Sequence, residues 1–188
     1  MKVLFLDIDG VIATPDNKWE AVPEKISLIR KICEATDCKI VISSSWRRNN
    51  VENTREAFRS RLRKLFKEYP DVKWFVENIY DITPYTGCAR GHEIERYLNK
   101  HKVDKYVIVD DDSDMLDEQL YHFVQIDWGI GLTERESELA IKILNHQYIF
   151  NLLGLNDTLK HQYRLHLDDL PNRYESILQF NDLNRDLE

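Results

Sequence analysis

The stretch KVLFLDIDGV at residues 2–11 sets the architecture. Residues 2–6 form a short apolar run that stops at a polar turn, the pattern of a buried strand. Asp7 and Asp9 then stand at the strand's tip, with Gly10 behind them to permit a sharp turn. Carboxylates that converge on one point repel each other unless a divalent cation neutralises them. A small set of hard oxygen ligands with open positions suits Mg²⁺. Taken alone, such a pair is more often a capped turn than a site.

Outward from this strand, the chain repeats the same grammar. Pro23 sits at a first helical position, and Ile26, Ile29, Ile32 and Cys33 follow at helical spacing through residue 36. Residues 39–42, KIVI, make a second β-branched run that stops at Ser43-Ser44-Ser45. A helical pattern over 51–68 places Phe58, Leu62, Leu65 and Phe66 on one face. Tyr69-Pro70 breaks it, and Lys73–Val76 reads as a third strand. A helix follows over Gly91–His101, then a strand over Tyr106–Val109 that ends in Asp110-Asp111-Asp112. Phe123–Ile126 reads as a fifth strand and Thr133–Leu144 as a helix, with Thr133 as its N-cap. Strands alternating with helices predict βαβ units and a mostly parallel sheet covered on both faces. Polar chemistry in such a sheet collects beyond the carboxyl ends of its strands. Three of the apolar runs end there in a polar cluster.

Together, FLDIDGV, the strand ending in Ser43, the basic Arg90 and VIVDDDSDM resemble the four motifs of the haloacid dehalogenase (HAD) superfamily, in the family's order. The strings ISSSWR, ARGHEI, YVIVDDDSDM and the GLT at 131–133 resemble more narrowly the HAD domains of nucleic-acid-repair phosphatases. The resemblance implies a three-layer, Rossmann-like α/β fold with a parallel sheet. It implies a phosphatase that works through an aspartyl-phosphate on Asp7. Asp9 would be the acid and base, which favours phosphatase over dehalogenase chemistry. Mg²⁺ would take the Asp7 carboxylate, the Asp9 carbonyl and one acid of the third cluster. Asp111 is favoured there with Asp110 in support, and the reverse stays open. Ser43, or Ser44 if the strand ends one residue later, would hold phosphoryl oxygens, and Arg90 would offset transition-state charge. Asp112 and Asp114 read as solvated or helix-capping.

The substrate is read from spacing and charge. Residues 10–42 lie between Asp9 and Ser43, and 44–89 between Ser43 and Arg90; both are largely used by the expected elements. Neither leaves room for a large cap domain, and an open site suits a bulky substrate such as a nucleic-acid end. The net charge is −7, which excludes a global basic field, so any polyanion contact must be local. Arg47 and Arg48 lie just beyond the serines, and Arg55, Arg59, Arg63 and Lys67 recur every four residues as a row that could follow a phosphate backbone. Trp46 could stack on a base. The expectation is a phosphorylated substrate, a nucleic-acid or nucleotide end, with Arg47 among its contacts. A mononucleotidase or small-metabolite phosphatase would share the same catalytic residues. An idle metal-binding module would be expected to lack Asp7 or Asp9.

Composition agrees with a globular enzyme, at 43% hydrophobic and 31% charged residues. No apolar run reaches the ~20 residues of a membrane span. Cys33, Cys38 and Cys88 form neither an even framework nor a CxxC pair, which points to a reducing, cytoplasmic compartment. The expected division is a core over 1–146 and a helical C-terminal extension over 147–188. That extension either packs on the core or makes a dimer contact.

Overall fold

The computed structural model describes residues 1–49, 54–66 and 69–146. The helical extension expected over 147–188 lies outside the described residues. Five strands, β1 (Lys2–Leu6), β2 (Lys39–Ile42), β3 (Ile79–Ile82), β4 (Lys105–Asp110) and β5 (Phe123–Gln125), form one sheet in the order β3-β2-β1-β4-β5. Every neighbouring pair is parallel. Parallel neighbours require crossovers. They are supplied by α1 (Pro23–Thr36), the pair α2 (Arg55–Leu65) and α3 (Pro70–Asn78), and α4 (Arg90–Leu98), with α5 (Glu134–His146) after β5. The α/β, Rossmann-like expectation holds, and among the described residues no separate cap module is present.

Strand periodicity sorts the core into two layers. Val3, Phe5, Val41 and Ile108 face Ile94 and Tyr97 of α4, and the Phe5 and Tyr97 rings meet edge-on at 5.5 Å. The alternate residues Leu4, Leu6, Ile40, Ile42, Val107 and Val109 fall on the opposite face and are also buried. Helix α1 packs against α3 and α5, burying Ile26, Ile29 and Ile32. The near-continuous apolar strands follow from burial on both faces.

Two expectations are corrected. Lys73–Val76 is not a strand but part of α3, and the third strand comes later, at Ile79–Ile82. Pro70 opens that helix, and Val72, Phe75 and Val76 are buried at helical spacing. A four-residue window is too short to show the difference between the two periods. The 51–68 helix is observed as Arg55–Leu65, capped by the Thr54 hydroxyl, which accepts from the Ala57 N–H at 3.2 Å. Phe58, Leu62 and Phe66 are buried as its apolar face predicts, but Leu65 is exposed. Thr133 does precede α5, where its N–H donates to the Glu136 carboxylate at 3.2 Å.

Register positions the site. Leu6 pairs with Ile42 on one side and Val109 on the other. One residue further, Ser43 N–H donates to the Leu6 carbonyl at 2.8 Å and Asp7 N–H to the Val109 carbonyl at 3.1 Å. Asp7, Ser43 and Asp110 therefore leave the sheet on one rim. The strand order reverses between β1 and β4, where crevices at the carboxyl edge of such sheets bind ligands. Among the described residues, no helix is long and apolar enough to cross a membrane.

His122 lies half-buried beside the Tyr106 ring, with centroids 4.1 Å apart. Burial lowers its pKa to about 4, against an ordinary value near 6.5. The folded protein thus resists a proton that the unfolded chain accepts. Stability should fall as pH drops from about 6.5 toward 4, and His122→Gln should flatten that part of the slope. Urea midpoints of both proteins across this window give the test; parallel slopes would mean that His122 is protonated in the native state.

Candidate active site

Carboxylate oxygens of Asp7, Asp110 and Asp111 lie within 4.8 Å of one another. Asp7 is nearly buried and Asp110 fully buried. The Arg90 guanidinium donates from Nη2 to Asp7 Oδ2 at 3.2 Å and brings Nη1 within 3.0 Å of Asp110 Oδ2. The second approach is not aligned as a hydrogen bond, so Arg90 Nη1 and Asp110 Oδ2 both lack a hydrogen-bond partner. Burial works against the Arg90 charge, yet Asp110, Asp7 and Asp114 outweigh it and raise its pKa. Burial first, and then Asp7, push Asp110 well above the usual carboxylate range and push Asp111 upward as well.

Gly10 explains its own presence in the DxDG string. Its φ is +69°, and a Cβ there would come within 2.5 Å of the Asp111 carboxyl carbon. The turn after β1 and the Asp111 side chain share a space that only glycine leaves open. Gly131, with φ of +75°, braces the same turn. A Cβ on it would meet the Val11 carbonyl at 2.8 Å, and the Leu132 N–H donates to that carbonyl at 2.9 Å. This is the structural use of the GLT segment.

Ser43 is fully buried beside this group, and its hydroxyl has no hydrogen-bond partner. Ser44 is spent on the turn that follows. Its hydroxyl accepts from the Trp46 N–H at 3.3 Å and its carbonyl from Arg47 Nε at 2.7 Å. Of the two candidates, Ser43 is therefore the one with an uncommitted donor. Asp9 is half-buried, and its carboxylate stands outside the three-carboxylate group. Its Oδ2 accepts from Trp46 Nε1 at 2.7 Å. Burial raises its pKa while the indole N–H works against the rise.

The structure corrects the substrate role expected of Arg47. Its side chain is 1% exposed and is satisfied within the protein. It donates to the carbonyls of Ser44, Thr83 and Pro84, and from Nη2 to Glu93 Oε2 at 2.8 Å. Glu93 also accepts from the Thr86 and Gly87 N–H groups. Arg47 ties the Ser45–Asn49 turn to α4, the helix that carries Arg90. The basic row is likewise drawn into the fold. Arg59 donates to the carbonyls of Val76 and Glu77 at the end of α3, and Arg55 to the Tyr80 carbonyl at 2.8 Å. Those carbonyls have no helical partner of their own, and the guanidiniums satisfy them. Arg63 is exposed, and Lys67 lies outside the described residues. Trp46, expected as a base-stacking residue, is engaged with Asp9 and packs on Phe66.

Asp114 acts as the helix cap that the sequence suggested. Its carboxylate accepts from the Arg90 N–H at 2.8 Å, in place of Ala89, whose side chain has nothing to offer. Glu93 and the Asp9–Trp46 contact were not foreseen. Glu93 stands one turn after Arg90 on the same helical face, which is a usable signal. Trp46 and Asp9 meet only through the pairing of β1 and β2.

A parallel α/β sheet with this strand-end constellation defines the HAD class of phosphatase-type domains. The chain belongs to the family described as the HAD domain in Swiss Army Knife RNA repair proteins, whose model matches residues 3–137. No curated protein and no solved structure matches it.

The buried Arg47–Glu93 pair makes a firm prediction. Glu93→Ala should cost about 3–5 kcal/mol of stability, because it strands a buried guanidinium without its partner. Urea unfolding measures this; a loss under about 1 kcal/mol would show that Arg47 can reach water instead.

Proposed function

We propose that this protein is a Mg²⁺-dependent phosphomonoesterase that removes terminal phosphates from RNA through an aspartyl-phosphate on Asp7. The observation that carries the reading is the convergence of Asp7, Asp110 and Asp111 beside Arg90 and the uncommitted Ser43 hydroxyl. The RNA part rests on the family's description as a domain of RNA repair proteins.

The residues fit a divalent cation. Three carboxylates face one guanidinium, and the Asp110 oxygen left without a hydrogen bond is buried. Asp7, Asp110, Asp111 and the Asp9 carbonyl would hold Mg²⁺, which when bound supplies charge neutralisation between nucleophile and phosphate. The protein's own groups do the rest. A carboxylate oxygen of Asp7 attacks phosphorus, forming an O–P bond as the ester O–P bond breaks. The leaving oxygen takes a proton from Asp9, whose carboxyl is shifted toward the acid form by burial. Ser43 donates to a phosphoryl oxygen, and Arg90 offsets the charge that builds on the others. Asp9, now a carboxylate, takes a proton from water, whose oxygen attacks phosphorus. Inorganic phosphate leaves and Asp7 is restored.

Phosphate release should be seen from 3′- or 5′-phosphorylated oligoribonucleotides with Mg²⁺ and be lost with EDTA. Activity confined to mononucleotides would overturn the RNA-end reading in favour of a mononucleotidase. Asp7→Asn should lower turnover on the order of 10³-fold or more while the thermal midpoint shows a folded protein. Turnover near that of the wild type would remove the covalent intermediate.

A further inference from the structure

The Trp46 indole donates to Asp9 Oδ2 from a ring that other contacts already hold. Trp46 is fixed by other means. Arg61 Nη1 donates to its carbonyl at 2.6 Å, the Arg61 guanidinium lies 5.8 Å from its ring centroid, and Phe66 packs at 5.5 Å. Its backbone is set by the Ser44 hydroxyl. The indole N–H is thus aimed at Asp9 by α2 and by the turn after β2, two elements that owe nothing to Asp9 itself. The Asp9 carboxyl, in turn, is two residues from Asp7, a member of the three-carboxylate group. A carboxyl on a free side chain could rotate toward a cation held there and be lost as an acid.

We infer that Trp46 is a positioning residue for the acid–base step: by donating to Oδ2 of Asp9 it reserves Oδ1 for the proton and holds the carboxyl away from the three-carboxylate group. The donor occupies Oδ2, so the acid's proton resides on Oδ1. From there it passes to the leaving oxygen, and Oδ1 later accepts the proton of the attacking water. The inference deepens the phosphatase reading above and rests on it. It also gives the basic helix α2 a purpose within the protein, since Arg61 holds the indole in place.

Leaving-group dependence separates positioning from structural support. An alkoxide needs the proton of Asp9 in order to leave; a dinitrophenolate does not. The measured quantity is kcat/KM with Mg²⁺ for a 3′-phosphorylated oligoribonucleotide and for 2,4-dinitrophenyl phosphate. This parameter reports the first, ester-cleaving step for both esters. Trp46→Phe keeps the ring and removes the N–H. It should lower kcat/KM by about 10–100-fold on the oligonucleotide and by less than about 3-fold on the aryl ester. Asp9→Asn should show the same asymmetry, larger, and Trp46→Phe added to Asp9→Asn should cost nothing further. Partial unfolding lowers both substrates equally and leaves their ratio unchanged, so the ratio is readable in a weakened variant. Equal losses on the two esters, or additive losses in the double variant, would overturn the role for Trp46 while leaving the phosphatase intact. A wild type inactive on both esters would instead overturn the phosphatase reading and this inference with it.

Discussion

Three carboxylates within 4.8 Å, facing one guanidinium, are the constraint around which this molecule is arranged. Like charges at that spacing in a buried site cost several kcal/mol unless something opposes them. The fold nonetheless brings them together, through β1 and β4 ending side by side at the point where the sheet order reverses. Burial first, and then the Asp7 charge, push the pKa of Asp110 and Asp111 upward, with Arg90 working against the rise. Two neighbouring donors are left without a hydrogen bond, the Ser43 hydroxyl and the Arg90 nitrogen that faces Asp110 as an ion pair.

Holding such a site in register requires rigid supports, and the chain supplies two. One is the buried Arg47–Glu93 pair, which links the turn after β2 to the start of α4. A buried ion pair is weak evidence of stability, because desolvation offsets most of the attraction. Its value here is geometric: it fixes the distance between the Ser43 rim and the helix that carries Arg90. The other support is glycine. Gly10 lets the first turn come against Asp111. Gly91 lets α4 start against the 116–119 segment, where a Cβ would fall 2.5 Å from the Leu116 nitrogen. Both glycines lie in strings that read as motifs, DIDG and ARGHEI, and in both the motif is a close approach of chain to chain.

The parts legible in the sequence were those in which chemistry sits at the end of an apolar run. Asp7 and Ser43 directly follow their strands and Asp110 ends its own, so a one-dimensional pattern located a three-dimensional rim. Asp114 was legible as a capping type of residue, but the helix it caps begins at Arg90, 24 residues earlier in the chain. What was not legible depends on pairing between distant segments. Arg47 is adjacent to the serines and cationic, which made it a natural phosphate contact; only the approach of α4 shows that Glu93 claims it. Arg55 and Arg59 form a true row, yet the row faces the carbonyls at the end of α3 and in β3, acceptors that no sequence periodicity displays. The mistaken strand at Lys73–Val76 has a different origin. Four apolar-rich residues carry neither period, and only Pro70 upstream and Val72 in the same stripe decide for helix.

These corrections alter how selectivity must arise. With Arg47 buried and Arg55 and Arg59 engaged, fixed cations around the rim are fewer than the sequence count suggests. Long-range attraction of a polyanion to a chain of net charge −7 is accordingly weak. On the proposed reading, recognition comes from the phosphate itself, through Ser43, Arg90 and a cation that the carboxylates would hold. Among the described residues, no enclosing cap stands over the rim. If Asp9 is the acid and base we propose, its geometry is built in advance from the core, and the turn that carries Trp46 is the element placed to build it.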